Sequence, residues 1–82
     1  MIEVKIINKI EDKINEYQKQ TGATKTWIAK QMGYKTRQSL DGAMKSEKLA
    51  LETYGRFAVF FKCNVLELYD MKFYEDGKQI IL

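Results

Sequence analysis

The stretch AKQMGYKTRQSLDGAMK, residues 29–45, decides the fold because its helical pattern stops once and then resumes. Apolar residues keep helical spacing at Ala29 and Met32, and the pattern returns at Leu40. Between them stands Gly33, the residue type that most often closes a helix in the left-handed conformation. The stretch is therefore predicted to form two short helices joined by a tight turn.

A threonine marks the start of each of these helices. Thr24 precedes a helix predicted over residues 26–32, and Thr36 precedes one predicted over residues 37–45. The hydroxyl of a threonine in this position accepts a hydrogen bond from the first turn of the helix. Only residues 34–35 remain for the connection, so the chain must turn sharply.

Helical spacing and capping residues predict three more helices, five in all. The first begins near Asn8, which fits a capping box with Glu11, and it ends at Gly22. The fourth covers residues 51–61, and Asn64 caps a short fifth helix.

Both ends of the chain carry β-strand signals. Asp76-Gly77 separates residues 72–74 from residues 79–82, which predicts a hairpin with a type I′ turn. Residues 2–6 alternate apolar and charged side chains, as a half-buried strand does, but Ile6 also fits the first helix. These residues are therefore left open between strand and helix.

Composition limits what the chain can be. Its 82 residues, with no proline and no low-complexity run, predict one domain over residues 1–82. A single cysteine and no histidine argue against a disulfide or a zinc site, and no cofactor is expected. No apolar run approaches the roughly 20 residues that span a bilayer, and the charged N-terminus is unlike a signal peptide, so a cytoplasmic location is expected. Because catalytic patterns are absent as well, we expect no enzyme activity.

Positive charge is concentrated in one part of the chain. Residues 24–48 carry six basic and two acidic side chains, which leaves +4, whereas residues 1–23 are neutral and residues 49–82 carry −1. A local basic patch suits a polyanionic partner such as nucleic acid. The alternative is a basic surface that only faces solvent.

Three stretches together resemble one family: TKTWIAKQMG (residues 24–33), TRQSLDGAMK (36–45) and LETYGRFAVFFKCNVLELY (51–69). They are similar to the second helix, the recognition helix and the last two helices of Cro/CI-type helix-turn-helix domains, found in phage repressors and small bacterial regulators. The resemblance implies a mainly α, five-helix lambda-repressor-like fold over about residues 6–70. The hairpin would follow over about residues 71–82, with a possible short N-terminal strand.

In such a domain the second helix of the motif enters the major groove with its N-terminus first. The resemblance therefore assigns base contacts to Arg37, Gln38 and Ser39 at the start of the third helix. Arginine can pair with guanine and glutamine with adenine. Asp41, one turn later, either accepts from a cytosine amine or orients Arg37 through an i, i+4 pair, and the second role is favoured.

Contacts to the DNA backbone are expected around this helix. The free N–H groups at the start of the second helix suit a phosphate oxygen, and basic side chains flank the third helix. The residues expected to bind phosphate are Thr24, Lys25, Lys35, Thr36, Lys45 and Lys48.

A homodimer is expected because several apolar residues lie outside the helix faces that are expected to form the protein's own core. They are Phe60, which lies off the inward stripe of its helix, and Ile80, Ile81 and Leu82 in the last strand. The dimer would form through the hairpin or the fifth helix; alternatively, the last strand only covers the protein's own core.

These observations predict a phage- or prophage-type transcriptional regulator without an effector domain. A two-fold dimer would bind double-stranded DNA at a pseudo-palindromic operator, with no membrane or small-molecule partner. The alternative is a protein-interaction module, such as an antitoxin or an anti-repressor, in which the same helices bind a protein.

Overall fold

The computed structural model describes residues 1–82, which form four α-helices and a three-stranded antiparallel sheet. In chain order the elements are β1 (Ile2–Asn8), α1 (Ile10–Thr21), α2 (Lys25–Gln31), α3 (Arg37–Lys45), α4 (Leu51–Phe61), a 3-10 turn (Val65–Glu67), β2 (Tyr69–Glu75) and β3 (Lys78–Ile80).

The prediction of a mainly α fold with five helices and a hairpin is wrong, because the protein is mixed α/β. The expected fifth helix is a single 3-10 turn, Val65–Glu67, closed by a capping box between Asn64 and Glu67. It stops there because β2 begins at Tyr69. β2 is then held along its whole length by β1, which makes a three-stranded sheet of the expected hairpin.

The start of the chain is a strand, so the choice left open for residues 2–6 is settled. β1 pairs with β2 from Ile2 opposite Glu75 to Asn8 opposite Tyr69. The expected capping box between Asn8 and Glu11 does not form. Instead, the Asn8 side-chain oxygen accepts a hydrogen bond from the Ile10 amide at 2.9 Å.

The predicted turn between the last two strands is confirmed. Asp76 and Gly77 have φ angles of 50° and 83°, the two positive values that a type I′ turn needs. β3 ends at Ile80, so Ile81 and Leu82 lie beyond the sheet and are almost fully exposed.

The core lies among the helices, and Ala29 of α2 and Leu40 of α3, two of the residues that keep the predicted helical spacing, point into it. Its eleven buried residues are Ile10, Ile14, Ile28, Ala29, Leu40, Ala43, Met44, Tyr54, Phe57, Ala58 and Leu68. None of the helices is long and apolar enough to cross a lipid bilayer.

The register of the sheet sorts its side chains onto two faces, because alternate residues of a strand point to opposite sides. One face carries Asn8, Tyr69, Glu75 and Lys78 together with six apolar residues, which we call the apolar sheet face: Ile2, Val4, Ile6, Met71, Phe73 and Ile80. Ile6 packs against the helical core, whereas Met71 directly opposite it is exposed, as are Val4 and Ile2 nearer the start of β1.

Candidate nucleic-acid interface

The connection between α2 and α3 is a closed turn. Gly33 has φ 83°, and its amide donates to the Lys30 carbonyl at 3.0 Å. The Tyr34 amide donates to the Ala29 carbonyl at 2.9 Å, which completes a Schellman motif. The predicted role of Gly33 is confirmed, and α2 ends here.

Both predicted threonine caps form. The Thr24 hydroxyl oxygen accepts from the Trp27 amide at 3.1 Å, and that of Thr36 accepts from the Ser39 amide at 3.3 Å. The hydroxyls of Thr36 and Ser39 also lie 3.2 Å apart. These bonds fix the start of α3 at Arg37, as predicted, and they hold the Ser39 side chain next to the cap.

α3 has one buried and one exposed side. Leu40, Ala43 and Met44 are buried in the core, which fixes the rotation of the helix about its axis. Arg37, Gln38 and Ser39 in the first turn are all exposed. The three residues predicted to read bases are therefore accessible to a partner.

Asp41 lies next to Arg37 on the helix surface. The Arg37 Nε and the Asp41 Oδ2 are 4.0 Å apart, and the side chains are 56% and 38% exposed. An exposed i, i+4 pair of this length contributes at most a few tenths of a kcal/mol. Its effect is to bias the direction of Arg37, the role favoured for Asp41, while leaving the guanidinium free to exchange partners.

The lysines of the basic segment have no carboxylate partners. Ion pairs join only the N-terminal amine to Asp76, Lys13 to Glu67 and Arg37 to Asp41. Lys35, Lys45 and Lys48 are exposed and Lys25 is half-buried. Their positive charge is thus not neutralised within the chain.

Asn8 is a positioning residue that sequence reasoning did not identify. Its side-chain amide donates to the carbonyls of Ala43 at 2.8 Å and Ser46 at 3.0 Å. Both acceptors lie at the C-terminal end of α3, where helix carbonyls lack intrahelical donors. The two partners are 35 and 38 residues away along the chain, so no local pattern reveals them.

The predicted dimer residue Phe60 belongs to an aromatic cluster that packs against the core. Its ring centroid lies 5.3 Å from Tyr17, 5.2 Å from Phe61 and 6.3 Å from Trp27. Trp27 of α2 thus packs against α4. A role for Phe60 between two copies stays a prediction, as it does for Ile80, which is half-buried opposite Phe73, and for the exposed Ile81 and Leu82.

Cys63 is half-buried, and burial is the main cause that raises its pKa; Lys13 lowers the pKa and Glu67 raises it. A raised pKa keeps the thiol protonated at neutral pH, which makes it a weak nucleophile. No group of three or more His, Cys, Asp or Glu side chains is placed to hold a metal ion.

Comparison with protein-family models, with curated proteins and with solved structures finds no match to this chain. What the protein binds is therefore inferred from its own residues, above all from the exposed first turn of α3.

Proposed function

We propose that the protein is a sequence-specific transcriptional regulator of the Cro/repressor type that binds double-stranded DNA and reads the major groove with α3. The observation that carries this proposal is the first turn of α3, where Arg37, Gln38 and Ser39 are exposed while Leu40 and Met44 anchor the helix in the core. A helix fixed in this way can present the same side chains to every partner.

Arg37 and Gln38 have the side chains best suited to base recognition. A guanidinium donates two parallel hydrogen bonds to guanine, and a carboxamide both donates to and accepts from adenine. Each such pair discriminates against a wrong base by about 1–3 kcal/mol. Asp41 assists by biasing Arg37, and Ser39, held by Thr36, contributes a shorter polar contact.

Affinity comes from the phosphate backbone. Lys25, Lys35, Lys45 and Lys48 lack internal carboxylate partners, so they can neutralise phosphates without first breaking an ion pair. The Thr24 and Thr36 hydroxyls accept from their helices and can still donate to phosphate oxygens. Binding of this kind weakens as salt rises, because counterions are released from the DNA.

The regulator acts as a homodimer on a pseudo-palindromic operator, in the manner of a phage or prophage repressor. In a two-fold dimer the recognition helices lie about 34 Å apart, one turn of DNA. A single α3 offers few base contacts, so a second copy is needed to reach operator-level specificity.

A second candidate function is a protein-interaction module, such as an antitoxin or an anti-repressor. The observation that favours it is the exposed part of the apolar sheet face, at Ile2, Val4 and Met71. Exposed apolar patches of this kind often mark protein contacts. This alternative predicts that the protein still binds its protein partner after Arg37 and Gln38 are substituted.

Selection of binding sites from a random duplex pool near physiological salt tests the proposal. The wild type is run beside Arg37→Ala/Gln38→Ala, with Glu11→Ala/Gln20→Ala on the exposed side of α1 as the control. The proposal predicts a two-fold symmetric motif for the wild type and the control, and loss or relaxation of that motif in the α3 variant. Recovery of the same weak pool by all three proteins would contradict it.

A further inference from the structure

β1 leaves one long edge of the sheet open. The strand order is β1-β2-β3, so β1 pairs with β2 on one side only. Apart from that ladder, no backbone hydrogen bond involves residues 2–8. Residues 44–49 face β1 across a cleft of about 770 Å3 and make no backbone hydrogen bond to it. The edge of β1 before Asn8 is therefore available for pairing, whereas the Asn8 side chain is bound to Ala43 and Ser46.

The sequence of this edge is self-complementary. In Ile2-Glu3-Val4-Lys5-Ile6, apolar residues lie symmetrically about Val4, and the two residues beside it carry opposite charges. We propose that a second copy of the chain pairs its β1 with this edge, antiparallel, around a two-fold axis at Val4. The pairing joins the two sheets into one of six strands.

The charges select this register among its neighbours. With the axis at Val4, Glu3 of each copy lies opposite Lys5 of the other, which gives two opposite-charge pairs. An axis at Lys5 would place the two lysines opposite each other and Glu3 opposite Ile7. An axis at Glu3 would oppose the two glutamates. Only the Val4 register therefore places both charges opposite partners of the other sign.

The same register matches the apolar residues. Ile2 of each copy lies opposite Ile6 of the other, and the two Val4 side chains meet on the axis. The even-numbered residues of both β1 strands point to the same side of the joined sheet, so the apolar sheet faces of the two copies become continuous. Ile2 and Val4 are 66% and 54% exposed in the single chain, and the pairing gives each an apolar neighbour on the added strand.

Lys5 provides a further reason to expect an acidic side chain opposite it in the second copy. It lies directly opposite Lys72 on β2, and neither lysine is in an ion pair. Like charges facing each other across two strands are destabilising. Glu3 of the second copy brings a negative charge to this position and offsets the repulsion.

The strand that pairs with this edge comes from a second copy, because the charged and apolar residues of one β1 complement those of another β1. The other edge, β3, has only three residues and begins with Lys78, features that protect an edge from pairing. This inference gives the dimer of the proposed function a defined surface, different from the one expected at residues 80–82. It does not depend on DNA binding, and its test contains no DNA, so the two can fail separately.

Charge reversal followed by mixing tests the pairing. Sedimentation equilibrium and native mass spectrometry are applied to the wild type, Glu3→Lys, Lys5→Glu and the double variant Glu3→Lys/Lys5→Glu. Lys78→Glu, the same charge change at the other edge, is the matched control. All changes are at exposed positions, and circular dichroism verifies that each variant is folded.

Each single reversal turns both opposite-charge pairs into like-charge pairs, so the dimer dissociation constant is expected to rise about tenfold or more. The double variant restores both pairs and the dimer. An equimolar mixture of Glu3→Lys and Lys5→Glu forms a heterodimer, since each residue 3 then faces an opposite charge at residue 5. A monomeric wild type, single variants that dimerise like the wild type, a mixture without heterodimers, or an equal loss in Lys78→Glu would overturn the inference.

Discussion

The side-chain amide of Asn8 donates to the carbonyl oxygen of Ala43 at 2.8 Å, which ties the end of β1 to the last turn of α3. The same side chain donates to Ser46 and accepts from the Ile10 amide. One residue thus links the sheet, α1 and α3. The orientation of α3 depends on this link as well as on its buried face.

Substitution of Asn8 is expected to loosen the C-terminal end of α3. Asn8→Ala removes three hydrogen bonds, each worth about 0.5–1.5 kcal/mol, so the free energy of unfolding should fall by about 2–3 kcal/mol. Asn8→Asp should cost at least as much at neutral pH, because it puts a negative charge against carbonyls at a helix C-terminus. Urea denaturation measures both. Asn15→Ala, an exposed change on α1, is the control, and equal stability of the Asn8 variants and this control would refute the linking role.

Gly42→Ala is expected to change the stability of the protein and its affinity for DNA in opposite directions. Gly42 is exposed in α3, and a Cβ added there meets nothing within 4 Å. Alanine should therefore raise the free energy of unfolding by about 1 kcal/mol through helix propensity. If the glycine allows close approach to a DNA backbone, affinity for DNA falls while stability rises. Thermal unfolding and DNA titration of the same preparation measure the two effects, and a destabilised variant would show that the position is packed after all.

Tyr54 carries a buried polar group without a partner. Its side chain is 1% exposed, and its hydroxyl makes no hydrogen bond. Tyr54→Phe removes this group with little change of shape, so the free energy of unfolding should rise by about 1 kcal/mol. Guanidinium titration measures it; a loss of 1 kcal/mol or more would mean that the hydroxyl has a partner.

The same tyrosine predicts a loss of stability in alkali. Burial, with a smaller contribution from Tyr69, raises the pKa of Tyr54 above its ordinary value of 10.0. The unfolded chain then loses this proton first, so stability present below pH 10 declines as the pH rises toward the raised pKa. The decline should be smaller in Tyr54→Phe. Urea midpoints across this range measure it, and parallel curves for the two proteins would contradict the assignment.

Lys48 is expected to act on affinity alone. Lys48→Ala removes an exposed, unpaired charge from each copy, so it should weaken binding to all duplexes alike and lower the slope of log affinity against log salt by about 1.8 for the dimer, or about 0.9 for each copy. Fluorescence anisotropy at several salt concentrations measures the slope. Lys78→Ala on β3 is the control, and a change in sequence preference in Lys48→Ala would assign it to base contact instead.

The parts of the fold that sequence predicted well are set by local interactions. Thr36 caps α3 three residues away, Gly33 closes α2, and Asp76-Gly77 forms a two-residue turn. Each of these features depends on residues only a few positions apart, so the local sequence pattern is sufficient to predict it. The exposed positions of Arg37 and Gln38 follow in the same way from the buried Leu40 and Met44.

The parts of the fold that were not predicted from the sequence depend on residues far apart in the chain. β1 pairs with β2 across nearly the whole sequence, with Ile2 opposite Glu75. The apolar residues at 65, 68 and 69 fit a helix by spacing, but pairing with Asn8 takes Tyr69 into the sheet. Tertiary pairing thus overrides local propensity here. The contacts of Asn8 with α3 were hidden for the same reason.

Base reading by α3 is tested most directly by the affinity of Arg37→Ala for a selected operator and for each single-base variant of that operator. If the first turn of α3 reads bases, this variant loses discrimination at one base-pair position in each half-site, by about 5- to 150-fold, and keeps it elsewhere. If instead Arg37→Ala weakens every duplex equally and preserves the full pattern of preferences, α3 does not read the DNA through Arg37, and the proposed mode of recognition is contradicted.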